Sequence, residues 1–139
     1  MRRLLLLAPL ALASCGGRMQ PAQLTGTTWQ LEELRIGAES RRIEEPARYT
    51  MAFDQPDEVS LLLDCNRGRG RAEVTPTGFS GGRVAFGPVA TTRAMCPPGS
   101  LDTQVARSLS GTLLYTLQGD RLRLNGPGGA QQVWRRAAE

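Results

Sequence analysis

Residues 59–74 read "VSLLLDCNRGRGRAEV", and the fold depends on where this run changes direction. Val59, Leu61, Leu63 and Cys65 occupy alternate positions, the period of two that marks a half-buried strand. Continued without a break, that strand would carry Arg67, Arg69 and Arg71 into the core, where unpaired charges are very costly. The next apolar residues, Ala72 and Val74, lie on the other parity. The chain therefore has to reverse, and Gly68 and Gly70 give "NRGRG" the backbone freedom to be the reversal. An alternative stands beside this one: the same three arginines form a patch that grips phosphate or carboxylate, such as a lipid headgroup.

The alternation recurs on both sides of this run. Trp29 and Leu31 share a face in "TWQLEEL", and Tyr49, Met51 and Phe53 share one in "YTMAF". "QPDE" is a turn that joins the latter to the strand ending at Cys65. "AEV" and "GRVAF" flank the turn "TPTGFSGG"; "TLLYTL" and "RLRL" flank "QGD"; and "GPGG" leads into "QQVW". One segment differs. Leu101, Val105 and Leu109 recur at intervals of four, which predicts one face of a short helix. Ser100 is its expected N-cap, and Asp102 suits the positive end of its dipole. The expected class is α+β, mostly β: a curved antiparallel sheet or open barrel of about eight short strands with one packed α-helix. Trp29 and Trp134, on alternating strands, read as core rather than as the lining of a ligand groove.

The chain opens "MRRLLLLAPLALASCGG". Arg2 and Arg3 precede an apolar stretch, Leu4 to Leu12, and small residues precede Cys15, the layout of a secretory signal peptide. That stretch rises only about 14 Å as a helix, too short for a hydrocarbon core of about 30 Å. "LASC" resembles the bacterial lipobox, which implies diacylglycerol on Cys15 and anchoring of the mature chain to a membrane. Gly16 rather than Asp follows the cysteine, which resembles an outer-membrane address. The expected organisation is a lipoprotein signal peptide over 1–14, a lipidated N-terminus and flexible tether over 15–23, and one domain over 24–139.

Composition narrows the chemistry. The chain has 17 basic and 13 acidic residues and no histidine, and every basic residue is arginine. Without histidine or lysine, Ser-His-Asp and Cys-His arrangements, the usual zinc sites and Schiff-base chemistry are excluded. A carboxylate pair remains, with Asp64, Glu73 and Asp102 as candidates, although acidic residues are expected on any small domain's surface. The reading is a non-enzyme with no catalytic residue, no cofactor and no metal site. Nor does a nearly neutral mature chain point to a nucleic-acid partner.

A resemblance then becomes specific. "DCNRGRG", followed by "TTRAMC" and then a helix and paired strands, resembles the META domain of HslJ-type bacterial envelope lipoproteins. Cys65, Asn66, Arg67 and Gly70 match that family's first element, and Thr92, Arg93, Met95 and Cys96 match its second. Asp64 stands where the family usually has glycine, and Asp102 where the helix usually has glutamate. The resemblance implies a small β-rich domain with one packed helix, found in envelope proteins linked to stress responses, with no established catalysis.

With Cys15 lipidated, Cys65 and Cys96 remain as an even pair in an oxidising compartment and are expected to form a disulfide. The expected function is a non-catalytic, lipid-anchored envelope protein, on the outer membrane facing the periplasm. It would support stress tolerance or assembly by binding an envelope protein or cell-wall partner. The alternative is a lysozyme-inhibitor-like lipoprotein that projects "NRGRG" as a loop into a muramidase cleft.

Overall fold

The computed structural model describes residues 24–54 and 57–138. Among these, nine strands and one α-helix follow in the order β1 (Thr28–Ile36), β2 (Glu39–Arg42), β3 (Tyr49–Asp54), β4 (Glu58–Leu63), β5 (Asn66–Pro76), β6 (Gly81–Thr91), α1 (Asp102–Ser108), β7 (Gly111–Gln118), β8 (Arg121–Asn125) and β9 (Gln131–Arg136). The expected signal peptide and tether, and half of the "QPDE" turn, lie outside the described residues.

Neighbouring strands pair antiparallel in the order β2-β1-β3-β4-β5-β6-β7-β8-β9. β1 also pairs with β9, from Trp29 opposite Arg136 to Arg35 opposite Gln131, so eight strands close into a barrel. The mostly-β class with one helix is as the sequence predicts. Closure removes the two exposed edges that an open sheet would have to protect. A bulge between Leu31 and Glu33 shifts the alternation of β1, so that Leu31 and Leu34 are both buried. β2 is a spur that shares an edge of β1 with β3. All four of its residues are exposed, so it carries no alternation for a sequence reading to find.

The barrel is filled by large apolar side chains. Trp29, Leu31, Met51, Val59, Val84, Leu122 and Trp134 are buried, and both tryptophans are core, as expected. Each side chain of this size contributes about 1.5–3 kcal/mol on burial. α1 adds Leu101, Val105 and Leu109 to the same cluster, one helical face set by the spacing of four. Its last turn is tied to the barrel by polar contacts: Trp134 Nε1 donates to Gln132 Oε1 at 2.8 Å, and Gln132 Nε2 donates to Ser108 Oγ. At the other end of the helix, the Tyr49 hydroxyl accepts from the Leu101 amide at 2.9 Å. Ser100 is not the N-cap: the helix begins one residue later than that expectation requires, Leu101 occupies the cap position without a side-chain cap, and the Ser100 Oγ lies 3.4 Å from the Asp102 amide.

Antiparallel order gives the barrel two unlike ends. The β4–β5 turn, the start of β3 and the β6–β7 connection that carries α1 share one of them, the helix end. The chain enters at the other: Thr25 bridges to Phe53, the last core residue of β3, and the Gly26 amide bonds the Phe53 carbonyl. It leaves there too, with the Ala137 amide on the Thr28 carbonyl.

The reversal after β4 lies one step earlier than the sequence reading places it. Leu63 pairs with Asn66, so the turn is the two residues Asp64 and Cys65, with Asp64 in the left-handed region at φ 60. "NRGRG" is not a reversal; it opens the eleven-residue strand β5. Paired residues share a face, so an inward Leu63 makes Asn66, Gly68 and Ala72 inward and Arg67, Arg69 and Arg71 outward. The two-residue turn thus produces the change of parity without any arginine entering the core. Cys65 accordingly lies exposed in the turn and not on the inward face of β4.

Candidate functional site

The residues singled out in the sequence converge on the helix end. Cys65 and Cys96 form a disulfide with Cα atoms 5.5 Å apart, linking the β4–β5 turn to the segment that precedes α1. Asp64 adopts a left-handed backbone conformation, at φ 60, that costs an ordinary residue about 1–2 kcal/mol and that glycine adopts freely. Here the aspartate is held in place by Arg48: Nε donates to Oδ1 at 2.8 Å, and Nη2 reaches the same oxygen. The Ser100 hydroxyl and the Arg48 guanidinium hold the Asp64 carboxyl below the usual carboxylate range, against the opposing effect of burial. Oδ2 has no hydrogen-bond partner among the described residues, so the Arg48 fork on Oδ1 is the side-chain contact that fixes the turn.

Asn66 is the centre of the site. Its side chain is almost fully buried, and its amide joins three chain segments. Nδ2 donates to the Ala94 carbonyl at 3.0 Å and to Asp102 Oδ2 at 3.0 Å, with Cys96 Sγ a longer contact at 3.4 Å. Oδ1 accepts from the Ala94 amide at 2.8 Å and from Thr92 Oγ1 at 3.0 Å. Thr92 Oγ1 also accepts from the Arg67 amide at 2.9 Å, which continues the β5–β6 ladder past its last strand residue. Asn66 and Thr92 therefore hold the connection 92–96 against the barrel and against the first residue of the helix. Gly70 has a different part. A Cβ there would lie 2.9 Å from the Pro88 carbonyl and 3.1 Å from Val89, so the glycine permits close approach of β6 rather than a turn.

The side chains of the remaining matched residues, Arg67, Arg93 and Met95, take no part in this network. Arg67 and Arg93 are exposed, and Met95 is 98 % exposed. Arg67, Arg69, Arg93 and Arg107 make no ion pair with any described residue. A cleft of about 500 Å³ lies between the ends of β5 and β6 and the helix, lined by Asn66, Thr92, Arg93, Asp102, Thr103 and Arg107 among others. Of the candidate carboxylates, Asp64 is engaged by Arg48 and Asp102 by Asn66, while Glu73 is exposed on the outer face of β5. Among the described residues no group of three or more cysteine, aspartate or glutamate side chains is placed to hold a metal ion.

Sequence reasoning matched Asn66, Thr92 and Cys96 without giving the asparagine its role as a hub. It missed Arg48 and Tyr49 altogether as members of this end. Neither carried a signal, since Arg48 is one arginine among many and the Tyr49 ring occupies an ordinary core position of β3.

A closed eight-stranded barrel with a helix at one end is a fold to which solved structures are similar. The chain resembles the NMR structure of a protein from Burkholderia xenovorans, with a TM-score of 0.67 at 17% identity over 95% of this chain and 100% of that one. A second NMR structure gives a TM-score of 0.58 at 19% identity, covering 81% of this chain and 90% of that one. At such identities the likeness is one of fold. No curated protein matches the chain. The pattern of the META domain matches residues 22–139, and the chain belongs to the META domain family.

Proposed function

We propose that this META domain is the soluble part of a non-catalytic lipoprotein of the bacterial envelope. It is anchored through lipid on Cys15, on the outer membrane facing the periplasm, and supports stress tolerance or assembly by binding another envelope component. The observation that carries this reading is the division of labour among the family's residues. Asn66, Thr92 and the Cys65–Cys96 bridge build the helix end, while Arg67, Arg93 and Met95 stand exposed on it without partners among the described residues. A side chain as large as Met95 left 98 % exposed contributes nothing to the core and is available to a partner. The chain enters the domain at the opposite end, so an anchor at Cys15 presents this surface away from the membrane.

The test is photocrosslinking in cells from a probe at Met95, with a probe at Leu114 on the barrel wall as the comparison. The reading expects one dominant adduct from position 95 and none shared with position 114. Indistinguishable adducts from the two positions would count against it. The lysozyme-inhibitor alternative loses its loop, because "NRGRG" lies flat in β5 with its arginines on the outer wall. Inhibition of lysozyme by the purified protein separates the two readings.

A further inference from the structure

The tip of the β5–β6 hairpin carries one large apolar side chain in solvent. Phe79 is 65 % exposed in the connection between Pro76 and Gly81, and residues 76–82, "PTGFSGG", carry no charge. The hairpin turns at the end of the barrel where Thr25 joins Phe53, the end at which the chain enters. Charges around it are only partly paired: Asp57 lies 4.0 Å from Arg71 and Asp120 lies 3.5 Å from Arg135, Arg136 donates to the Thr27 hydroxyl, and Arg83 beside the tip makes no ion pair with any described residue. From Leu24 back to Cys15 is nine residues, a reach of at most about 30 Å when fully extended.

We infer that this end of the barrel rests on the bilayer, with Phe79 seated at the boundary between headgroups and acyl chains. The inference rests on the lipid-anchor reading of Cys15. An aromatic ring flanked by small uncharged residues enters that boundary at little desolvation cost, and a lipid on the same side keeps it within reach. The tip binds weakly alone, and the tether supplies the effective concentration that makes the contact persistent. The membrane contact fixes the barrel upright, so that Arg93 and Met95 face away from the lipid.

The experiment places a tryptophan probe at the tip. The lipidated protein carrying Phe79→Trp is reconstituted into phosphatidylethanolamine–phosphatidylglycerol vesicles, and a Met95→Trp protein serves as the helix-end comparison. Trp29 and Trp134 are fully buried, so the unsubstituted protein gives the background. The probe at position 79 is expected to shift to the blue on vesicles and to be quenched by lipids brominated near the headgroup. The probe at 95 should stay open to aqueous iodide. Equal iodide access at both positions, without bromolipid quenching, overturns the inference. So does a blue shift at position 79 that appears without vesicles, which would indicate a protein contact. The mass of the N-terminal peptide is read on the same sample. If it shows no lipid, the anchor reading fails by itself. Residues 15–139 are then coupled through Cys15, the thiol left free by the Cys65–Cys96 bridge, to a maleimide phospholipid, and the quenching is read again to judge the docking face.

Discussion

The amide of Asn66, on the first residue of β5, donates to the carboxylate of Asp102, on the first residue of α1, across 36 positions of sequence at 3.0 Å. A barrel strand and the helix that covers the barrel's end are thereby joined through one side chain. The same amide group holds both backbone groups of Ala94, so one residue locates the whole connection between β6 and the helix.

Replacing Asn66 with alanine leaves the Asp102 carboxylate and the Ala94 groups without their partner. Each orphaned polar group costs about 1–3 kcal/mol, so the loss should reach about 3 kcal/mol or more in urea unfolding. Asn66→Asp is the sharper test. It sets two carboxylates against each other, and part of its instability should disappear as the pH is lowered far enough to protonate one of them. A loss under 1 kcal/mol for the alanine variant would show that the network is ornamental.

The Cys65–Cys96 bridge spans 31 positions. In the simple loop-entropy treatment its removal costs about 3.5 kcal/mol, a large share of a small domain's stability. Unfolding with and without reductant measures this, and alkylation in denaturant without reductant should modify neither cysteine.

Asp64 makes stability depend on acid. Its carboxyl is held below its ordinary range in the folded protein, so its contribution is complete above the unfolded pKa of about 3.9. That contribution is lost as the pH falls through the lower folded value. Asp64→Asn keeps a residue that tolerates φ 60 but removes the charge, and should flatten this acid limb of the stability curve. An unchanged limb would mean that neither Ser100 nor Arg48 stabilises the Asp64 carboxylate in solution.

Gly70→Ala should destabilise by about 1–3 kcal/mol, because the added methyl meets the Pro88 carbonyl at 2.9 Å and the Val89 Cα at 3.2 Å, backbone atoms that cannot step aside, as well as a Val89 methyl at 3.1 Å. If the glycine served a turn instead, alanine with its ordinary backbone preferences would relax the strand and leave the β5–β6 amides fast to exchange. Hydrogen exchange at Arg69 and Ala90, which face each other across the ladder, distinguishes the outcomes.

Cys15→Ala tests the anchor separately from the fold. The expected result is a domain released into the soluble fraction with its unfolding midpoint unchanged. A domain that lost its fold on release would contradict the division between tether and barrel at residue 24.

Much of this architecture was legible because alternation reports which face of a strand is buried. Val59, Leu61 and Leu63 announced β4, and the change of parity at Ala72 announced a reversal. Its position was not legible, because the sequence offered the five glycine-rich residues 66–70 as an obvious turn and only the pairing of Leu63 with Asn66 excludes them. Glycines at 68 and 70 belong there for packing, which sequence alone does not distinguish from bending. Closure was hidden for a related reason. The pairing of β1 with β9 is a relation between residues a hundred positions apart, and neither strand's local pattern names its partner. The helix-end network was half visible, since the matched residues were known but Asn66 looked like a polar neighbour of a cysteine.

By loop-closure entropy, the seam between β1 and β9 should be the last pairing of the barrel to form. Trp29, near the start of the domain, lies opposite Arg136, near its finish, so the ring has no complete form until almost the last residue has been delivered. Hairpins such as β3–β4 and β7–β8 join near neighbours and form early, whereas the seam waits on the longest loop in the domain. A chain still being made or threaded holds its first strand with one side unsatisfied throughout. Loss of the last strand alone, Gln131–Arg136, would therefore strip a partner from both β1 and β8 and turn a ring back into a sheet with two raw edges.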